Sequence, residues 1–183
     1  MNPATYVDYT VKVGSRASME EVSLGASCLM KALHAGFSEF KGKFALALPF
    51  IDAPSPQKKI STFRVFAETM NDHVQLHEFV SRSTHFEKSF TAGFPKIVSP
   101  DFSGPYKAFS RIRIKSRADG EKRLKKMLEV EADGSPWLNI QSRENGHRFR
   151  MYLQSHVSDA LSVGVLSGYG LSQAESLHFL PDI

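Results

Sequence analysis

The sequence predicts an α+β protein built from two units, and three observations carry that prediction. Several short runs alternate single apolar and polar residues, the mark of half-buried strands. Two longer stretches instead repeat apolar residues at helical spacing. Near the C-terminus Asn145-Gly146 separates two strand-like runs, the strongest short signal for a hairpin. At 183 residues and 42% apolar content the chain can bury one ordinary core or two small ones. Cys28 is its single cysteine, which excludes an internal disulfide and a Cys-rich zinc site and fits a reducing compartment. No run of eighteen apolar residues occurs, and the first ten residues lack the charged start and apolar stretch of a signal peptide. A cytoplasmic protein with no membrane partner is therefore expected.

The first unit reads in order. Tyr6 to Val13 alternates Val7, Tyr9, Val11 and Val13 with polar residues, a strand with one buried face. Ser18-Met-Glu-Glu21 reads as a capping box, and Val22, Ala26, Leu29 and Leu33 form the stripe of a helix expected to stop at Gly36. Phe44, Leu46 and Leu48 make the next strand, ended by Pro49. The segment 52–59 is a loop by composition. A strand over 60–67 and a helix capped by Asn71-Asp72, running to about Arg82, follow, and Lys96 to Val98 closes the series. This β-α-β-β-α-β order is the ferredoxin-like arrangement. Phe102-Ser-Gly-Pro105 reads as a hinge, dividing an N-terminal ferredoxin-like domain (1–103) from a second, degenerate ferredoxin-like or β-rich domain (104–183).

That second domain opens on the chain's most distinctive stretch. Arg111, Arg113 and Lys115 alternate with Ser110, Ile112 and Ile114, giving a strand with a cationic face. Asp119 is placed to cap a helix in which Leu124, Met127 and Leu128 recur at helical spacing among Lys122, Arg123, Lys125 and Lys126. Residues 107–126 carry nine Lys and Arg against two acids, a net of +7 in a chain of +4, so the remainder sums to −3. Charge concentrated in this way calls for a polyanion. The strands Trp137 to Ser142 and His147 to Gln154, a Gly-flanked Tyr169, and an apolar run from Leu177 to Leu180 complete the chain.

Candidates for chemistry are few. His73 and His77 share a helix face, but the acid follows the second histidine, so the zincin order is absent and a solvated helix face is the alternative. No P-loop or G-x-G-x-x-G follows a strand, and the basic stretch has no paired carboxylates for a two-metal nuclease. Cleaving RNA needs no metal, because the ribose 2′-hydroxyl attacks the adjacent phosphorus once a base removes its proton. His34, Ser142 and Tyr169 have side chains suited to that task. Each also has a plain alternative: a helix C-cap, a turn residue and a core aromatic.

Five segments in register add weight: Leu33-His34, Ser110-Arg-Ile-Arg-Ile-Lys-Ser116, Ile140-Gln-Ser142, Gly146-His-Arg-Phe-Arg150 and Tyr169-Gly-Leu-Ser172. Through them the chain resembles the type I-F CRISPR repeat-processing endoribonucleases over essentially its whole length. The resemblance implies a metal-independent enzyme without cofactor. It would cut CRISPR precursor RNA at the base of the repeat hairpin, leave a 2′,3′-cyclic phosphate, and stay with the mature guide RNA in a type I-F RNA-guided surveillance complex with other subunits. It implies His34 as general base, Ser142 as the residue holding the attacking ribose, and Tyr169 as the residue orienting the histidine. Phe149 would stack on the terminal base pair of the hairpin, with Arg148 and Arg150 beside it. Arg111, Arg113 and Lys115 would read or grip the major groove, and Lys122, Arg123, Lys125 and Lys126 would hold phosphates.

Two departures alter the expected specificity. The family pattern has Arg-x-Gln where this chain has Arg111-x-Arg113, and arginine suits guanine where glutamine suits adenine. The helix also carries lysines where the family favours arginine, which makes for a less geometric, more salt-sensitive grip. Two other classes fit the charge: a non-catalytic RNA-hairpin-binding module in which His34 is structural, and a DNA-binding regulator, which leaves Ser142 and Tyr169 idle.

Overall fold

The computed structural model describes residues 1–14, 16–83, 89–114, 120–141 and 146–183. Lys115, Asp119, Ser142 and the turn residues up to Asn145 lie outside the described residues. Two antiparallel sheets and four helices make up the described part, a mixed α+β fold.

β1 (Thr5–Val11) alternates as expected, with Val7, Tyr9 and Val11 buried, but it ends two residues short of Val13, which is exposed rather than on the buried face. α1 (Met19–Glu39) starts at the capping box: the Glu21 N–H donates to Ser18 Oγ at 3.2 Å, and the Ser18 N–H donates to Glu21 Oε2 at 2.7 Å. Its stripe of Val22, Ala26, Leu29 and Leu33 is buried. The helix does not stop at Gly36, however; it runs to Glu39 and is capped at Phe40. The glycine serves packing instead, since a Cβ there would lie 2.4 Å from Leu76 Cδ1 of the neighbouring helix. That helix, α3 (Met70–Ser81), is capped by Thr69 rather than by Asn71-Asp72: Thr69 Oγ1 accepts from the Asp72 N–H. Asp72 sits in its first turn, where burial acts to raise its pKa but the Thr69 hydroxyl, donating at 2.6 Å, and Lys43, paired at 2.9 Å, together hold the carboxyl below its usual range.

Between these helices lie β2 (Ala45–Ala47), α2 (Pro56–Lys59) and β3 (Thr62–Ala67). α2 is one turn inside the segment expected to be loop, made by Ser55 as N-cap and Pro56 at the first helical position. β4 (Phe90–Ala92), which the sequence reading missed, and β5 (Lys96–Ile97) both pair with β1. The strand order is β2–β3–β1–β4, all antiparallel. α1 and α3 pack on each other and on this sheet.

The second sheet has the order β7–β8–β6–β9, from β6 (Tyr106–Ile112), β7 (Trp137–Gln141), β8 (Arg148–Ser158) and β9 (Leu180–Pro181). β6 begins before the expected basic strand and ends at Ile112, leaving Arg113 and Ile114 beyond it. β7 and β8 form the expected hairpin, with Gln141 opposite Arg148. α1 also packs on β7, so one apolar cluster runs from Val7 and Leu33 through Phe109, Ile140, Met151 and Leu171.

The basic helix, α4 (Gly120–Ala132), differs from expectation in what it buries. Leu124 and Leu128, read as core-facing, are each 57% exposed, and only Val130 among its described residues is buried. The helix is held at its C-terminal end, where Glu131 accepts from Arg150 Nη1 and from the Tyr152 hydroxyl, each at 2.6 Å. Amphipathic spacing alone could not distinguish a helix packed along its length from one held at an end.

Candidate functional site

α1 extends His34 toward the loop between β8 and β9, and the local sequence fixes that loop tightly. The Ser167 N–H donates to the Leu171 carbonyl and the Gly170 N–H to the Ser167 carbonyl, closing a turn at 2.7 and 2.9 Å. Gly170 has φ +71°, and a Cβ there would lie 2.7 Å from the Phe37 ring, so glycine is needed for both conformation and space. Its carbonyl accepts from the Leu46 N–H of β2, while the Ser172 N–H donates to the Phe109 carbonyl of β6. The loop is thereby pinned to both sheets.

Within it, the Gly168 carbonyl lies 2.6 Å from His34 Nδ1. A carbonyl only accepts, so Nδ1 carries the proton, and in the neutral ring Nε2 keeps its lone pair. Tyr169 stacks on the same imidazole, ring centres 4.1 Å apart and planes 18° from parallel. Burial pushes the Tyr169 hydroxyl pKa above its usual value, with Arg111 opposing. The stack and the carbonyl together fix both the plane and the tautomer of His34.

These groups line a cavity of about 210 Å³ together with Arg111, Arg113 and Met151. Arg111 and Arg113 sit two positions apart at the end of β6 and reach the cavity from one side. Arg113 is exposed. Arg111 is half-buried, its guanidinium 4.8 Å from the Phe149 ring centre and its Nε buried without a hydrogen-bond partner. Burial lowers the Arg111 pKa; Tyr169 works against that shift and Arg113 with it. Two guanidiniums beside an imidazole nitrogen with a free lone pair suit an anionic ligand that has a proton to give.

Of the three residues assigned to chemistry, His34 and Tyr169 are in contact, and Ser142 lies outside the described residues, as does Lys115 among those assigned to RNA. Lys122, Arg123 and Lys125 are exposed on α4, whereas Lys126 pairs with Glu129 at 3.3 Å. Arg148 is exposed, and Phe149 is half-buried beneath Arg111. Arg150 is engaged: it pairs with Glu131 and lies 4.5 Å over the Trp137 ring. Lys107, the first cation of the basic stretch, is bound by Asp52 at 2.9 Å and Asp182 at 2.8 Å. Sequence reasoning missed Gly168, Glu131 and Tyr152. Gly168 had a signal in its Gly-flanked loop; the other two had none.

No protein-family model matches the chain, and no curated protein matches it. Among the described residues no helix is long and apolar enough to cross a membrane. No group of three His, Cys, Asp or Glu side chains there forms a metal-ligand set. His73, from the pair weighed as metal ligands, is buried with Nε2 3.1 Å from Thr5 Oγ1.

Proposed function

We propose that the chain is a metal-independent endoribonuclease of the type I-F CRISPR repeat-processing kind, specific for the structure and sequence of a repeat hairpin. The observation that carries the reading is His34, held by the Gly168 carbonyl and the Tyr169 ring with Nε2 free in a cavity shared with Arg111 and Arg113. In this reading Nε2 takes the proton of the ribose 2′-hydroxyl. The 2′-oxygen attacks the adjacent phosphorus, and the 5′-oxygen of the next nucleotide leaves and is protonated. The products are a 2′,3′-cyclic phosphate and a 5′-hydroxyl. Arg111 and Arg113 face the charge that builds on the phosphoryl oxygens.

The strand order β2–β3–β1–β4, with α1 and α3 packed on the sheet, supports a ferredoxin-like N-terminal domain. The exposed cations of α4 support hairpin binding by the second domain. A short stem with an open end suits such a helix, because the major groove of a long A-form duplex is too narrow to enter. The cytoplasm, and a surveillance complex in which the cut RNA is retained, complete the proposal.

The deciding experiment incubates wild type and His34→Ala with a labelled repeat hairpin in excess EDTA. Wild type is expected to cut at the base of the stem. The variant is expected to bind equally well and to cut at least about 10²-fold more slowly. Undiminished cleavage by the variant sinks the assignment, and binding without cleavage by wild type makes the chain a hairpin-binding module.

A further inference from the structure

A second cavity, of about 580 Å³, opens beside the His34 site, between α1 and the edge strand β7. Leu24, Ser27 and Lys31 line it from α1; Asn139 and Ile140 line it from β7, and Arg148 from β8. The two cavities are neighbours on both walls. Lys31 precedes His34 by three residues, so the two share a helix face. Ile140 is the cross-strand partner of Phe149, whose ring lies under the Arg111 guanidinium of the His34 cavity. With about 1.5 Å of rise per residue, Ser27 lies about 10 Å along the helix axis from His34. The cleft therefore runs away from the candidate catalytic group along α1.

Its lining is that of a single-strand track. Lys31 and Arg148 are exposed cations at its rim. Ser27 and Asn139 offer hydrogen bonds, and Leu24 and Ile140 give an apolar floor. Cations for phosphates beside an apolar surface for base faces are what unpaired nucleic acid needs. The volume lies within the about 300–1,000 Å³ of small-ligand sites, room for one or two nucleotides but not for a duplex. An acid, Glu20, stands at the far end and limits the cationic track to the part nearest His34.

We propose that this cleft holds the unpaired RNA immediately 3′ of the scissile phosphate, the strand that leaves after the cut. The inference rests on the endoribonuclease reading, in which α4 and the end of β6 hold the hairpin; of the residues read as RNA ligands only Arg148, expected beside the terminal base pair, also lines the cleft. Leu24, 67% exposed, is the apolar surface that this cleft offers to a base.

The test uses a hairpin blocked by a 2′-deoxyribose at the cut, made with and without a four-nucleotide 3′ flank. Wild type is expected to bind the flanked RNA at least about fivefold more tightly, one stacked base being worth that much or more. Lys31→Ala and, separately, Leu24→Glu are both changes on the exposed side of α1. They are expected to erase that gain and leave binding of the bare hairpin as in wild type. A wild type that binds both RNAs equally overturns the cleft assignment, as do variants that keep the full gain. Absence of hairpin binding in wild type overturns the endoribonuclease reading and this inference with it.

Discussion

Removing three charges from α4 gives the sharpest quantitative test of how this protein holds RNA. Lys122, Arg123 and Lys125 are exposed, and the helix makes its contact with the body at the other end, through Val130 and Glu131. Replacing the three by alanine therefore touches no packed residue, and alanine favours the helix. Lys126 stays out of the count because Glu129 already pairs with it. Each phosphate contact contributes about 0.9 to the slope of log K against log salt on duplex DNA, used here as a guide for an RNA stem. The triple variant should flatten the slope by about 2.7, a difference of about 40-fold in affinity over a fourfold salt range. Fluorescence anisotropy on the deoxy-blocked hairpin, read at four or five salt concentrations, measures this directly. Leu124→Ala is the internal control: it lies on the same helix, is exposed, and should leave the slope alone. A triple variant that binds less well with an unchanged slope would mean that α4 serves packing and that phosphates are held elsewhere.

Three further outcomes follow from named contacts. Glu131→Gln weakens the grip on Arg150 and Tyr152, so hairpin affinity should fall several-fold through loss of the helix's orientation while the salt slope holds; a flattened slope would contradict the positioning role. Tyr169 meets His34 through its ring face, so Tyr169→Phe should cut at nearly the wild-type rate and Tyr169→Ala about 2–10-fold more slowly, a stacked pair being worth about 0.5–1.5 kcal/mol; single-turnover cleavage that is equally slow in both would assign the work to the hydroxyl. Burial lowers the pKa of His73 and of His178, and His178 Nδ1 accepts from the Gly164 N–H, so protonating it there breaks that bond. The unfolded chain, with histidines near their ordinary value of 6.5, then binds more protons than the native one as acidity rises. Stability is fully present above that value and is lost as pH falls below it, by up to about 1.4 kcal/mol per pH unit for each histidine. Urea midpoints between pH 7.5 and 5 should show that fall, and a flat profile would refute it.

What was legible in the sequence was what neighbours along the chain decide. The alternation of β1, the capping box of α1 and the β7–β8 hairpin each rest on residues a few positions apart, and each was readable. Gly36 was misread because a glycine after an apolar stripe is a stop signal locally, and only Leu76, forty residues on, reveals it as the place where α3 comes close. β4 spans three residues and shows no alternation, so only its pairing with β1 makes it a strand, whereas β5 falls in the β-rich run expected at Lys96 to Val98. The candidate site divides in the same way. His34 and Tyr169 stood out as residue types, but the carbonyl that fixes the imidazole's tautomer comes from 134 residues away.

The basic helix carries the argument one step further. Its four cations within five residues, Lys122, Arg123, Lys125 and Lys126, cannot be buried against the body without a large desolvation cost. The fold keeps all four exposed by holding the helix near its C-terminal end, through Val130 and Glu131, and it leaves even Leu124 and Leu128 exposed in doing so. Arg150 belongs to that arrangement: it lies over Trp137, pairs with Glu131, and shares that carboxylate with Tyr152. An arginine read from its motif as a ligand for RNA thus sits where it supports the element that presents the other cations. If that is its work, Arg150→Lys, which keeps the charge but gives up the planar fork, should lower hairpin affinity as Glu131→Gln does. A direct phosphate contact predicts instead that lysine substitutes well, and comparing the two variants on one hairpin separates the roles.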